Sequence, residues 1–124
     1  MAKPKSNQRN RNGNARRKLT ARLKAEQRGC WICRAFGRND YIDYDLPAGH
    51  PMCFEVDELK PVSRYREFGY ATAQQCALDY ANVDAAHRRC NQWKSDKSND
   101  EVIAIARGQR QAKSKPLPQP FDDW

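Results

Sequence analysis

Apolar side chains fall along this chain in short, separated groups, and each group points to a different local structure. Leu19 and Leu23 lie four residues apart within a stretch from Ala15 to Gln27 made mostly of strong helix formers. That spacing predicts a basic helix, which Gly29 ends. The segment Cys30-Trp31-Ile32-Cys33 follows as a knuckle, and residues 34–51 read as loop with a short strand around Tyr41 to Tyr44. Phe54 and Val56 alternate with Glu55 and Asp57 before Pro61 closes the run, so a strand is predicted over 54–59. Residues 64–70, rich in Arg, Tyr and Gly, form another loop. Thr72 caps a short helix to Leu78, Asn82-Val83 opens a turn, and a helix is predicted from about Ala86 to Lys97, where Ser98-Asn99 breaks it. Asn99 then caps a last helix, with Asp100 and Glu101 in its first turn, Val102, Ile105 and Ala106 buried, and Gly108 at its end.

Composition sharpens this picture. The chain has 124 residues, enough for one small domain with arms and too few for a second full domain. Hydrophobic residues are 39% and charged residues 31%, with a mean hydropathy of -1.04. So polar a chain has a marginal apolar core, and a staple is expected. There is no run of 18 apolar residues, which excludes a transmembrane helix and any membrane role built on one. The basic N-terminus has no apolar stretch behind it, so a secretory signal is not expected and a cytoplasmic location is. In that setting the five cysteines read as thiols or metal ligands rather than disulfides.

The net charge of +8 is unevenly placed. Residues 1–28 hold ten Lys or Arg against the single acid Glu26, whereas the rest of the chain is nearly balanced. Basic arms of this kind track phosphates, and Arg16, Arg17 and Lys18 are the candidates on the predicted helix. A solubilising tail without a dedicated partner is the plainer alternative. Three parts follow: a disordered basic arm over 1–14, carrying Pro4, Gly13 and several Asn; a domain over 15–110 that starts with the basic helix; and a proline-rich tail over 111–124. Between Asn39 and Leu59 the balance inverts, with six acids and no Lys or Arg. A bound divalent cation would account for such a belt.

Cys30-x2-Cys33 supplies half of a tetrahedral site, and His87-x2-Cys90 has the spacing to supply the other half. At i and i+3 on an opening helical turn, His87 and Cys90 face the same way. The four make a Cys3His set suited to a structural zinc, whose binding energy would substitute for missing core area. Small buried thiols at 30 and 33 are the alternative. Cys53 and Cys76 read as buried small hydrophobes, and His50 as a surface histidine or a rival fourth ligand.

Taken in order, Val56-Asp57-Glu58-Leu59-Lys60-Pro61-Val62-Ser63, Asn82-Val83 and His87-Arg88-Arg89-Cys90-Asn91-Gln92-Trp93-Lys94 resemble the HNH endonuclease motif. The resemblance covers about Cys30 to Lys97. It implies an α+β fold: a small zinc-stapled ββα-metal domain, here with flanking helices and a basic N-terminal arm. It also implies a metal-dependent DNA endonuclease of low sequence specificity, with Mg²⁺ or Mn²⁺ as catalytic ion. The family is common among bacteriophage proteins, which makes DNA the implied partner and phage packaging proteins further ones. By position, Asp57 and Asn91 would ligate the catalytic cation, Glu58 would take the place of the general base, and Asn82 would hold the hairpin loop. Cys30, Cys33, His87 and Cys90 would hold zinc, and Arg88, Arg89, Lys94 and Lys97 would lie along phosphates. Glu58 and Asn91 stand where the family usually has histidines, and a carboxylate at position 58 is a weaker base that adds negative charge beside a phosphodiester. Two other readings follow: a zinc module that binds nucleic acid or a packaging partner without cleaving, and an adaptor that docks its partner through Phe121 and Trp124 of the tail.

Overall fold

The computed structural model describes the backbone of residues 3–114 and the side chains of residues 13–112, so the tail residues Phe121 and Trp124 lie outside the described residues. Helix α1 spans Lys3–Ala25 and so runs back through most of the segment expected to be disordered. Pro4 sits in its first turn, where a missing N–H leaves no bond unmade, and the Lys, Arg and Gln that follow are good helix formers. The helix stops before Gly29: Gln27 adopts a left-handed φ of +52°. Gly29 serves a different purpose, because a Cβ there would lie 2.8 Å from the Asp40 carbonyl oxygen. Leu19 and Leu23 are buried, packing with Val83 against Phe54, Val56 and Tyr80. The C-terminal half of α1 is thus docked on the domain.

Helix α2, Trp31–Ala35, is one tight turn that opens on Cys30. The following loop holds no strand at 41–44; Ile42 is buried there and the Tyr44 hydroxyl donates to the Arg28 carbonyl at 2.7 Å. The β-branched and aromatic residues that suggest a strand find no partner strand to pair with; Ile42 and Tyr44 anchor the loop through their side chains instead, and Tyr41 stays exposed.

Strand β1, Phe54–Glu58, pairs antiparallel with β2, Val83–His87, so that Phe54 faces His87 and Glu58 faces Val83. Their connection contains a 3-10 turn at Val62–Arg64, helix α3 at Ala73–Leu78 and a second 3-10 turn at Tyr80–Asn82. The Thr72 hydroxyl caps α3 as the sequence predicts, accepting from the Gln75 N–H at 3.1 Å. The helix predicted from Ala86 starts later: α4 covers Arg88–Lys94, because Val83 to His87 are taken by the ladder. It ends at Ser95, which has a φ of +53°.

Helix α5, Asn99–Ser114, begins on a reciprocal cap. Ser98 Oγ accepts from the Glu101 N–H at 3.2 Å, and Glu101 Oε1 accepts from the Ser98 N–H at 2.8 Å. The cap is therefore Ser98 rather than Asn99, and the helix continues past Gly108. Val102 and Ala106 are buried, and Ile103 rather than Ile105 packs on the main core. That core gathers α2, Ile42, Ala85, Ala86, Cys90 and Val102. The described residues form a small α+β fold: a two-stranded sheet among five helices. No helix of the described residues is long and apolar enough to cross a membrane.

Candidate metal centre and the adjoining polar pocket

Cys30 and Cys33 come from the N-terminus of α2, His87 from the end of β2 and Cys90 from the first turn of α4. All four are buried, and their ligand atoms lie within 4.8 Å of one another. Zinc–sulfur and zinc–nitrogen bonds of about 2.3 and 2.0–2.1 Å define a tetrahedron with edges of about 3.5–3.8 Å. Cys33 Sγ lies 3.4 Å from His87 Nδ1 and 3.6 Å from Cys90 Sγ, and Cys90 Sγ lies 3.9 Å from Nδ1. These three distances lie within about 0.1 Å of the edges of such a tetrahedron. They are also far beyond a disulfide bond.

The surroundings fit a metal as well. His87 Nε2 lies 2.8 Å from the Tyr41 carbonyl, which accepts a hydrogen bond from Nε2–H and so leaves Nδ1 free to ligate. Cys30 Sγ accepts from the backbone N–H groups of Cys33 and His87, each at 3.4 Å. A hydrogen bond from Cys90 draws the Cys30 thiol down to about 5, with those backbone donors adding to it, while Cys90 as the donor is pushed up. The hydrogen bonds that converge on Cys30 Sγ favour its thiolate form, the form in which cysteine ligates zinc. The Cys3His set can hold a structural metal such as zinc. Cys53 and Cys76 are buried outside this group, and His50 is exposed.

A second group of polar side chains gathers where β1 meets α4. Asp57, Glu58 and Asn91 line one cavity of about 270 Å³, together with Pro61, Ser63 and Asp96. Each of the three is already engaged. Asp57 is 2% exposed; its Oδ2 accepts from Trp31 Nε1 at 2.7 Å and its Oδ1 pairs with Lys94 Nζ at 3.0 Å. Burial pushes the Asp57 carboxyl up to about 6, against the Lys94 charge and the Trp31 hydrogen bond. Glu58 pairs with Arg16 at 3.3 Å, and Asn91 Nδ2 donates to Glu55 Oε1 at 3.0 Å. The Arg16 guanidinium thus offsets the Glu58 charge. Asn82 is buried below: its side-chain oxygen accepts from the Lys60 N–H at 2.8 Å and its amide donates to the Lys60 carbonyl at 3.0 Å. It clamps the chain just after β1.

The cationic residues divide into two sets. Arg17, Lys18 and Arg89 are exposed, and Lys97 is half-buried beside the Trp93 ring. Arg16 reaches Ala77 and Glu58, and Arg88 pairs with Glu55 at 3.3 Å. Lys94 is 1% exposed, and its Nζ also donates to the Glu58 carbonyl at 2.8 Å. Its ammonium faces the interior instead of a phosphate. Sequence reasoning missed this pairing, along with Trp31 and Glu55 as partners of the pocket residues. A signal existed for Lys94, which follows Cys90 by four residues and so shares its inward face. No family model, curated protein or solved structure matches this chain.

Proposed function

We propose that this chain is a zinc-stapled ββα-metal module of HNH type that binds DNA and hydrolyses its phosphodiester bonds. The observation that carries the reading is the cavity where two carboxylates and an amide, Asp57, Glu58 and Asn91, meet on one side of a strand–helix unit braced by a separate Cys3His cage. Carboxylate and amide oxygens are the donors a hard divalent cation takes. Mg²⁺ or Mn²⁺ bound by Asp57 and Asn91 would polarise the scissile phosphate and stabilise the departing oxygen. The protein's own part begins with Glu58, whose carboxylate accepts the proton of the attacking water. Arg16 offsets the Glu58 charge and holds the side chain in place. Asn82 fixes the backbone after β1, on which the geometry of both acids depends. Arg17, Lys18, Arg89 and Lys97 contribute phosphate grip that carries no sequence preference.

One observation favours a second reading. Lys94 already places a positive charge on Asp57, in an ion pair that both partners bury. A module so closed would bind nucleic acid without cutting it.

The two readings separate on supercoiled plasmid with Mg²⁺ or Mn²⁺, using wild type, Glu58→Gln and Asp57→Asn, each checked for zinc content and circular dichroism. Nicking by wild type that both substitutions abolish supports the endonuclease. Plasmid binding without nicking in either metal supports the second reading, and nicking that survives Glu58→Gln removes Glu58 from the reaction.

A further inference from the structure

Trp93 and Tyr41 are the large hydrophobic side chains left exposed among the described residues, and Trp93 is 42% exposed. It stands in the last turn of α4 with the Phe36 ring against it, centroids 5.4 Å apart and planes at 83°. Both rings line a cavity of about 270 Å³, together with Arg38, Arg89, Cys90 and Gln109. That is just under the roughly 300 Å³ at which pockets for drug-sized molecules begin, so it is room for a single ring system. Cations surround it. Lys97 Nζ lies 5.0 Å from the Trp93 centroid, and the Arg38 guanidinium lies 4.8 Å from that of Phe36. No ion pair among the described residues uses Arg38, Arg89 or Lys97, and beyond the ring contacts and a Lys97 Nζ hydrogen bond to the Trp93 carbonyl at 3.4 Å their charges meet no carboxylate.

A flat apolar ring with negative charge close to its edge satisfies both halves of this surface, and a nucleotide has that form: a base to stack and a phosphate to pair. We infer that the Trp93–Phe36 face stacks an unpaired nucleobase, with Arg38, Arg89 and Lys97 holding the flanking phosphates. The inference rests on the nucleic-acid-binding part of the function proposed above and adds to it a preference for single-stranded or opened strands. An acidic peptide would answer the cations and leave the aromatic pair without a partner.

The test uses the full zinc-loaded chain and fluorescence anisotropy with three labelled probes: a twelve-nucleotide oligothymidylate, an abasic strand of the same length and phosphate count, and a duplex. Stacking on an aromatic side chain is a large effect per base, so the oligothymidylate is expected to bind about tenfold tighter than the abasic strand. Trp93→Ala is expected to abolish that advantage and leave abasic binding unchanged, and Trp93→Phe to retain most of it. Zinc content and circular dichroism verify that both variants fold. Equal binding of thymidylate and abasic strands by wild type overturns the inference, as does Trp93→Ala weakening both alike. Polyglutamate competing as well as oligothymidylate also overturns it and identifies an acidic protein as the occupant. If the duplex binds and the base advantage is missing, this inference alone falls; if no probe binds, the DNA-binding reading falls with it.

Discussion

A lysine with 1% of its side chain exposed is among the costliest groups a domain of this size can bury, and Lys94 is tolerated because Asp57 Oδ1 and the Glu58 carbonyl both accept hydrogen bonds from its ammonium. Removing one partner leaves the other charged and unpaired in the interior. Lys94→Ala is therefore expected to destabilise the zinc-loaded protein by about 3–5 kcal/mol in urea denaturation. Replacing both partners, as Asp57→Leu with Lys94→Met, is expected to cost clearly less than either single truncation, because no orphan charge remains. A double variant as unstable as the sum of its parts would mean that the pair contributes through something other than mutual neutralisation. The same residues mark where the sequence was legible. Cys30, Cys33, His87 and Cys90 were readable together because a metal cage demands particular residue types at particular spacings. Lys94 was not, because a lysine on a basic helix ordinarily faces solvent, and its partner lies on β1, far away in the chain.

At the level of elements, β1, α3 and α5 carry their own signals: apolar alternation, a Thr cap, and acids in a first turn. Strand β2 carries almost none. Val83-Asp84-Ala85-Ala86-His87 has weak strand propensity, and it is extended because β1 supplies its ladder and the core takes Ala85 and Ala86. A helix placed over Ala86 follows local preference, and the tertiary pairing overrides it. The start of α5 offers the sharpest test of an element. Ser98→Ala removes one half of the reciprocal cap and is expected to cost about 1 kcal/mol. Its other half is pH-dependent: hydrogen bonds from Arg64, then from the Ser98 N–H, draw the Glu101 carboxyl down to about 2. A carboxylate lowered below its unfolded pKa of about 4.3 lends its full stability above that pH and loses it as pH falls through the folded value. The expected outcome is that Glu101→Gln lowers Tm at neutral pH and flattens its decline between about pH 4.5 and 2. A wild-type acid limb unchanged by the substitution would show that Arg64 and Ser98 hold Glu101 no better than water does.

Across the whole molecule, the parts that carry chemistry are brought together by few connections. The polar pocket lies between β1 and α4, and α1 leans on the outer face of the hairpin through Leu19 and Leu23. Leu23 is fully buried, so Leu23→Ala is expected to cost about 2–5 kcal/mol and to loosen the hold of Arg16 on Glu58. The core that joins α2, β2 and α4 beside the Cys3His cluster consists of small residues with Trp31, Ile32, Ile42 and Val102 as its larger members, so a metal in that cluster would add substantially to what holds them together. Structural zinc sites contribute apparent binding energies of about 10–16 kcal/mol at neutral pH, as much as the whole stability of an ordinary domain, which is about 5–15 kcal/mol. Zinc bound in the Cys3His cluster would therefore contribute enough to decide whether the chain folds. About one zinc per chain is expected in the purified protein by elemental analysis, and a chelator strong enough to remove it should abolish the cooperative thermal transition and most of the ellipticity outside α1. Zinc added back should restore both. Cys33→Ser should reproduce the chelated state without chelator, because Cys33 sits within 3.4 Å of His87 Nδ1 and 3.6 Å of Cys90 Sγ, and among the described residues no other His, Cys or carboxylate belongs to the group. A metal-free chain melting at the same temperature as the loaded one would show that these small apolar clusters hold α2 to α4 unaided, and that the four side chains meet as buried packing alone.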